Sequence, residues 1–226
     1  MFSTHIKSHN NPRFSYTVQT GVYRVFICVT QASVVWITLE ERKLRLPPLS
    51  LVLGGASSGK SAFAERMVRQ CGLAKVYIAT AEAHDGEMSA KISSHRAKRA
   101  GHGWRTLEAP HETANALAQI EAGEVVLLDC VTFWLTNVMI DDGDWDEELE
   151  VLLDVLVQMR APVVLVSNDV SGGVVPENAL ARAFQRAQGE VNQRLAAQAD
   201  LVVYVTAGLP TVLKGEPQLD DVDEPW

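Results

Sequence analysis

Short apolar runs alternate with stretches of helical periodicity from about residue 49 onward. Runs such as VVLLD and VVLVS are almost continuously hydrophobic, as is typical of strands that a parallel sheet buries on both faces. Because helical stretches separate these runs, we predict an α/β fold, in which helices cover both faces of one mostly parallel sheet. The predicted strands are 49–53, 75–79, 104–108, 124–129, 163–167 and 201–206, and the predicted helices are 60–71, 86–99, 112–121 and 176–198, with further helix within 132–159.

The residues on either side of this alternating region differ from it. A β-branched stretch between Val18 and Leu39 predicts two short strands, and Pro47 and Pro48 separate it from the alternating region. The end of the chain is acidic and contains prolines. We therefore expect an N-terminal extension (1–48), a single domain (49–214) and an acidic tail (215–226), the extension being either disordered or the product of an upstream translation start.

Composition narrows the class of protein. The chain has 226 residues, of which 47% are hydrophobic and 21% charged, which is sufficient for one globular domain with a sizeable core. Its formal net charge of -8 repels the phosphates of nucleic acid, so we expect no nucleic-acid partner.

Two further features bear on the location of the protein. No apolar run is long enough to span a bilayer, since Arg24 and Gln31 interrupt the most apolar early stretch, and the N-terminus lacks the order of a secretory signal. Cys28, Cys71 and Cys130 are widely spaced and form no zinc-binding pair. We expect a cytoplasmic protein without stable membrane insertion.

A phosphate-binding loop is the strongest motif. Residues 54–61 read GGASSGKS, which fits G-x-x-x-x-G-K-[ST], and they follow a predicted strand and precede a predicted helix. Glycines allow the backbone amides to approach phosphate oxygens, Lys60 adds a positive charge, and Ser61 is a potential Mg²⁺ ligand. The alternative is a glycine-rich turn without a ligand. The motif in this context predicts a P-loop NTPase-like, RecA-like domain that binds a nucleotide.

An acidic residue ends the apolar strand 124–129. Asp129 is placed to reach a Mg²⁺ ion held by Ser61, directly or through water. Alternatively, Asp129 is an ordinary strand-end residue that caps the next helix. Thr132, three residues on, is a candidate either for capping that helix or for touching substrate.

A histidine lies among basic residues in the predicted helix 86–99. Lys91, His95 and Arg99 recur at i, i+4 and i+8 and so share one helix face. Neighbouring positive charges favour the neutral, nucleophilic imidazole, and the same cations could hold phosphate oxygens. This combination suits attack on a nucleotide α-phosphate. A solvated basic face is the alternative, and spacing alone does not decide between them.

Other polar segments carry weaker signals. The loop that follows strand 163–167 contains Gly172 and Gly173 and ends at Pro176, which we place at the start of helix 176–198. It is either a ligand-facing loop or a structural connection. His102 and His111 lie in polar positions without a partner that the sequence identifies.

Five segments resemble, in order, those of the bifunctional adenosylcobinamide kinase/adenosylcobinamide-phosphate guanylyltransferases of adenosylcobalamin assembly. The resemblance covers about residues 51–214. It rests on LVLGGASSGKSAFAE, YIATAEAHDGEMSAKISSHRAKR, GWRTLEAP, VVLLDCVTFWLTN and the stretch from VLVSNDV to TAGLP.

The resemblance implies roles for individual residues. The family's histidine before Arg in the EM…I…HR stretch becomes attached to GMP, and His95 matches it, so His95 and Lys60 are the implied catalytic residues. Ser61 and Asp129 are the implied Mg²⁺ ligands. The implied nucleotide contacts are Gly54, Gly55, Ala56, Ser57, Ser58, Gly59, Lys60, Ser61, Thr80, Ala81, Glu82, His95, Arg96, Ala97, Lys98, Glu108 and Asp129.

The resemblance also implies two reactions and an assembly. ATP or GTP would phosphorylate adenosylcobinamide, and GMP would then pass from GTP through His95 to the new phosphate, with release of pyrophosphate. The resemblance also implies a homo-oligomer, a trimer with active sites between subunits. Ser57 stands where the family usually carries Arg, so a member that only guanylylates is one alternative, and a P-loop kinase of another small alcohol is a second.

Overall fold

The computed structural model describes residues 14–20, 23–29, 35–41, 44–82, 86, 97, 101–172, 175–216 and 218–219. The chain divides into two compact units, Met1–Leu44 with Leu219–Trp226 and Arg45–Gln218. The first unit contains an antiparallel meander of β1 (Phe14–Thr20), β2 (Tyr23–Val29) and β3 (Val35–Glu41). β2 and β3 pair as the two short strands expected between Val18 and Leu39, and β1 adds a third strand that was not predicted, so that β2 has a neighbour on each side.

The second unit is an α/β domain built on a seven-stranded sheet. A separate two-stranded ladder is formed by β4 (Leu44–Arg45) and β12 (Gln218–Leu219), of which Arg45 and Gln218 belong to this unit. The other strands are β5 (Leu49–Gly54), β6 (Ala74–Ala79), β7 (Trp104–Glu108), β8 (Glu124–Asp129), β9 (Val163–Asn168), β10 (Leu201–Thr206) and β11 (Leu209–Lys214). The helices are α1 (Lys60–Gln70), α2 (Thr113–Ala118), α3 (Val131–Ile140), α4 (Trp145–Gln158) and α5 (Ala179–Gln198).

The sheet has the order β11-β10-β5-β9-β8-β6-β7. All neighbours are parallel except β10 and β11, which form an antiparallel hairpin. β9 therefore lies between β5, which leads into the glycine-rich loop, and β8, which ends at Asp129. The mostly parallel sheet predicted from the apolar runs is confirmed.

Helices cover both faces of this sheet. Alternate strand residues, such as Leu51 and Leu165, pack with α3, α4 and α5 in one core. The intervening residues face α1, which packs on β5, β8, β9 and β10. The two faces carry different residues at the strand ends. By the same alternation, Thr80 lies on the face covered by α3, whereas Asp129 lies on the face covered by α1. None of the helices in the described part of the chain is long and apolar enough to cross a membrane.

Two predicted elements need correction or qualification, and one strand was not predicted. Helix 176–198 begins later, at Ala179, because Asn178 caps it by accepting the N–H groups of Leu180 and Ala181, so that Pro176 lies before the helix. Strand β11 was not predicted; it is an edge strand, where its Pro210 is tolerated. The predicted helix 86–99 lies almost wholly outside the described residues.

Candidate active site

The glycine-rich loop runs from the last residue of β5 into the first residue of α1. Its end has a left-handed backbone at Gly59, with φ of 93°, a conformation that favours glycine. The buried Lys60 folds back over the loop and donates from Nζ to the carbonyl oxygen of Gly55 at 3.2 Å. The lysine ammonium and the loop backbone thus gather at the N-terminus of α1, where the helix dipole favours an anion.

The turn between β10 and β11 packs directly against this loop. The N–H of Gly208 donates to the carbonyl oxygen of Ser58 at 2.7 Å. A Cβ on Gly54 would lie 2.5 Å from Val205 O and 2.5 Å from Ser58 Oγ, so only glycine fits there. The Ser58 C=O and the Gly59 N–H belong to the same trans peptide and point in opposite directions. Because the Ser58 C=O points toward Gly208 in the hairpin, the Gly59 N–H points away from it.

Ser61 and Asp129 meet at the start of α1. Ser61 Oγ donates to Asp129 Oδ1 at 3.3 Å, and Tyr77 OH donates to Asp129 Oδ2 at 3.1 Å. A hydroxyl and a carboxylate are oxygen ligands of the kind Mg²⁺ takes, usually with water and substrate phosphates completing the shell. Within the described residues no three His, Cys, Asp or Glu side chains converge on a metal position.

Strand register places one further predicted residue, Glu108, at this edge. Ala79 of β6 pairs with Asp129 on one side and with Glu108 on the other. Glu108 is exposed at the end of β7. The structure therefore brings Glu108, Asp129 and the glycine-rich loop to the carboxyl edge of the sheet, where doubly wound α/β sheets hold ligands.

The segment 80–82 continues β6 at the same edge. Thr80 is fully buried, whereas Ala81 and Glu82 are half-buried. Glu82 Oε1 lies 3.0 Å from Nε2 of His111. The sequence identified no partner for His111, and the structure supplies this one.

The remaining predicted nucleotide contacts lie in the segment 83–100. Ala97 is exposed. His95, Arg96 and Lys98 lie outside the described residues, as does the predicted ridge with Lys91 and Arg99. Their part in the site stays a prediction.

The loop after β9 packs onto the glycine-rich loop. The N–H of Asp169 donates to Gly54 O at 3.1 Å, and the Asp169 carboxylate accepts bonds from Ser171 and from Tyr204 OH. Hydrogen bonds from the Ser171 side chain and backbone, with a smaller contribution from Tyr204, lower the pKa of Asp169. The bond to Asp169 in turn raises the pKa of Tyr204. These contacts give Asp169 a structural part beside the loop.

Thr132 and Cys130 also have structural surroundings. Thr132 Oγ1 accepts the N–H of Asn168 at 2.9 Å, and the residue at the N-terminal cap of α3 is Cys130, so Thr132 does not cap the helix. Burial is the main reason that the pKa of the Cys130 thiol rises to about 12. Cys130 and Cys71 are buried free thiols, and a thiol with so high a pKa stays protonated at neutral pH.

Sequence reasoning missed Tyr77, Asn137 and His111. Tyr77 precedes Ala79 by two residues on β6, so strand alternation puts both side chains on the face that carries Asp129. Knowledge of the β6–β8 register would have been needed to see this. Asn137 lies in a helix that is mostly apolar, and nothing in the sequence indicates that its amide donates hydrogen bonds to two loops.

Comparison with known proteins identifies the family. The family model described as "Cobinamide kinase / cobinamide phosphate guanyltransferase" (CobU) matches residues 50–213. The chain belongs to the CobU family.

Two bifunctional adenosylcobalamin biosynthesis proteins illustrate the relationship. CobP of Pseudomonas aeruginosa is 47% identical over 170 residues, covering 74% of this chain and 98% of CobP. CobU of Escherichia coli is 41% identical over 180 residues, covering 73% of this chain and 98% of that protein. Among solved structures, flagellar accessory protein FlaH of Methanocaldococcus jannaschii has 12% identity and a TM-score of 0.43, and the match covers 77% of this chain and 89% of FlaH. The family expected from the five segments is confirmed.

The close approach at Gly54 yields a stability prediction for this CobU-family chain. Gly54→Ala should lower the free energy of unfolding by about 1–3 kcal/mol, because its Cβ would collide with backbone that cannot easily move. Gly55→Ala is the matched control, since a Cβ there meets nothing within 4 Å. Denaturant unfolding without nucleotide measures both. Equal stability of the two variants would contradict the packing described here.

The hydrogen bonds to Asp169 yield a pH prediction. A carboxyl whose pKa is lowered on folding stabilises the protein above its unfolded pKa, near 4, and this contribution is lost as the pH falls through the folded value. Asp169→Asn should therefore cost about 1 kcal/mol at pH 7 and progressively less below about pH 4. Asp154→Asn, on an exposed part of α4, is the control. A difference that does not depend on pH would count against the assignment.

Proposed function

We propose that this chain phosphorylates adenosylcobinamide with ATP or GTP and then transfers GMP from GTP to adenosylcobinamide phosphate. The observation that carries the proposal is the bond between Ser61 and Asp129 beside Lys60 and the glycine-rich loop. A phosphate-binding loop with a strand-end carboxylate suits phosphoryl transfer. Membership of the CobU family supplies the substrate class.

In the proposed kinase step, the substrate hydroxyl oxygen attacks the γ-phosphorus of the nucleotide. The bond from that phosphorus to the β–γ bridging oxygen breaks, the nucleoside diphosphate leaves, and the hydroxyl proton is released. Lys60 and the amides of residues 54–61 would stabilise the negative charge on the phosphate oxygens. Such catalysis is mainly electrostatic stabilisation and positioning.

The donor set beside the loop fits Mg²⁺. Ser61 Oγ and Asp129 would hold the ion, and Tyr77 would orient the Asp129 carboxylate through its other oxygen. When bound, the ion would neutralise phosphate charge. Tyr77 thereby gains a supporting part that the sequence did not suggest.

In the proposed guanylyl step, an imidazole nitrogen of His95 attacks the α-phosphorus of GTP. The bond to the α–β bridging oxygen breaks and pyrophosphate leaves. An oxygen of adenosylcobinamide phosphate then attacks the phosphorus, the P–N bond breaks, and His95 is regenerated. Support comes from the family's HR segment and from the glycine-rich loop, Glu82 and Glu108 at the edge where GTP would lie.

The proposal also covers the effect of Ser57 on the kinase step, the oligomeric state of the protein and its location in the cell. Lys60 is the sole cation within residues 54–61, because Ser57 replaces the family's usual arginine, so the loop offers one positive charge fewer to the phosphate oxygens in the kinase step. The resemblance implies a homo-oligomer, a trimer, which light scattering would measure. Nucleoside triphosphate substrates and buried free thiols support a cytoplasmic location.

Product analysis tests the two activities together. Purified protein with adenosylcobinamide, GTP and Mg²⁺ should yield adenosylcobinamide-GDP and pyrophosphate, identified by mass. Lys60→Ala should reduce turnover by at least about 100-fold, because charge stabilisation in the transition state is lost. Product formed only from added adenosylcobinamide phosphate would indicate guanylylation alone. Absence of both products would contradict the proposal. It would favour the alternative that the chain is a kinase of another small alcohol.

A labelling experiment tests the covalent step. Wild-type protein incubated with α-phosphate-labelled GTP and Mg²⁺ should acquire an acid-labile label, as expected for a P–N bond. His95→Ala should lose the label, and His102→Ala should keep it as the matched histidine control. A wild-type protein that makes product without ever becoming labelled would exclude the covalent histidine.

A further inference from the structure

Helix α3 contacts the predicted nucleotide segment 80–82 at three levels. At its start, Thr80 Oγ1 donates to Cys130 O at 2.7 Å and accepts the Cys130 N–H at 2.9 Å. In its middle, Asn137 Nδ2 donates to Thr80 O at 2.8 Å. At its end, Asp141 contacts His111, which contacts Glu82. One helix thus fixes both the beginning and the end of the segment.

Asn137 links two loops at once. Its amide nitrogen also donates to Pro110 O at 3.1 Å, and the residue is only 3% exposed. Thr80 and Pro110 follow neighbouring parallel strands, β6 and β7. Because each carbonyl would otherwise lose a buried hydrogen bond, the Asn137 amide sets the distance between the loop that carries Glu82 and the loop that carries His111.

His111 lies between two carboxylates. Its Nε2 is 3.0 Å from Glu82 Oε1 and its Nδ1 is 3.1 Å from Asp141 Oδ2. Ionised carboxylates only accept hydrogen bonds, so both contacts are hydrogen bonds only when both ring nitrogens carry protons. The geometry therefore suits the imidazolium form.

We propose that His111 and Asn137 are positioning residues that orient Glu82 for nucleotide binding, with α3 as their common support. The inference rests on the proposed function, because it takes residues 80–82 to contact the nucleotide. It is supported by the place of this segment, which begins directly after Ala79, the register partner of Asp129. Glu82 is thereby held on the ligand edge of the sheet by a residue from the neighbouring loop.

Acidic groups surround His111. Glu82 faces it from the segment after β6 and Asp141 from the end of α3. Glu112 adjoins it in sequence and accepts a bond from Asn115. A side chain at position 111 that keeps a hydrogen-bond donor should therefore hold Glu82 better than a side chain that has none.

Titration of a fluorescent GTP analogue against the full chain tests this inference. His111→Ala should bind about three- to tenfold more weakly than wild type, since partly exposed ion pairs are individually modest. His111→Gln, which keeps an N–H donor, should recover part of this loss. His102→Ala, at an exposed histidine, should leave the Kd unchanged.

A second pair of variants separates positioning from loss of fold. Asp141→Asn should weaken binding less than His111→Ala does, with an unchanged melting temperature. Asn137→Asp should weaken binding at least about tenfold, because it directs a carboxylate at two carbonyl oxygens. A Kd for His111→Ala equal to that of wild type would overturn the inference alone. A wild-type protein that binds no nucleotide would overturn the proposed function as well.

Discussion

Parallel register is the constraint on which the site depends. Every strand from β5 to β10 runs in the same direction within its sheet, so the loop after each one emerges at the same edge. The pairings of Ala79 with Asp129 and with Glu108 then fix which residues face one another across strands. A shift of one residue in β8 would move Asp129 to the other face and separate it from Ser61. The chemistry of the edge is therefore set by the packing of apolar residues deeper in the sheet.

The two faces of the sheet make different contributions to this edge. The face covered by α1 carries Ser61, Tyr77 and Asp129, which are joined by hydrogen bonds. The other face carries Thr80, which is held by α3. Ser61 and Asp129 are thus supported by one layer of helices, and the segment 80–82 is supported by the other.

The sequence was most informative where a local pattern determines the structure. β7, β8 and β10 begin and end at the predicted residues, because each is a short apolar or β-rich run with clear flanking residues. The nearness of Asp129 to Ser61 of the glycine-rich loop could be predicted because each residue follows or ends an apolar strand, and the loop has a compact motif. The helix after the β9 loop was misplaced because a capping asparagine at 178 competes with Pro176 as a start signal.

What the sequence could not provide was contact between segments distant in the chain. Tyr77 on Asp129, Asn137 on Thr80 and His111 on Glu82 each depend on the order of strands and on register. Neither order nor register can be read from periodicity, since many sheet orders share the same alternation of strands and helices. The edge strand β11 was also not predicted, and its role is defined by its pairing with β10 at the end of the sheet.

The hydrogen bond from Gly208 to Ser58 also has a consequence for biosynthesis. The glycine-rich loop leaves the ribosome early, whereas the donor to its Ser58 carbonyl belongs to the turn between two of the last strands to be made. Folding dominated by such distant contacts is slow to complete, because the intervening chain must first be ordered. A nascent domain that stops short of the β10–β11 turn therefore lacks the bond that holds the Ser58 carbonyl, and its phosphate cradle is finished only when translation of the domain is nearly over.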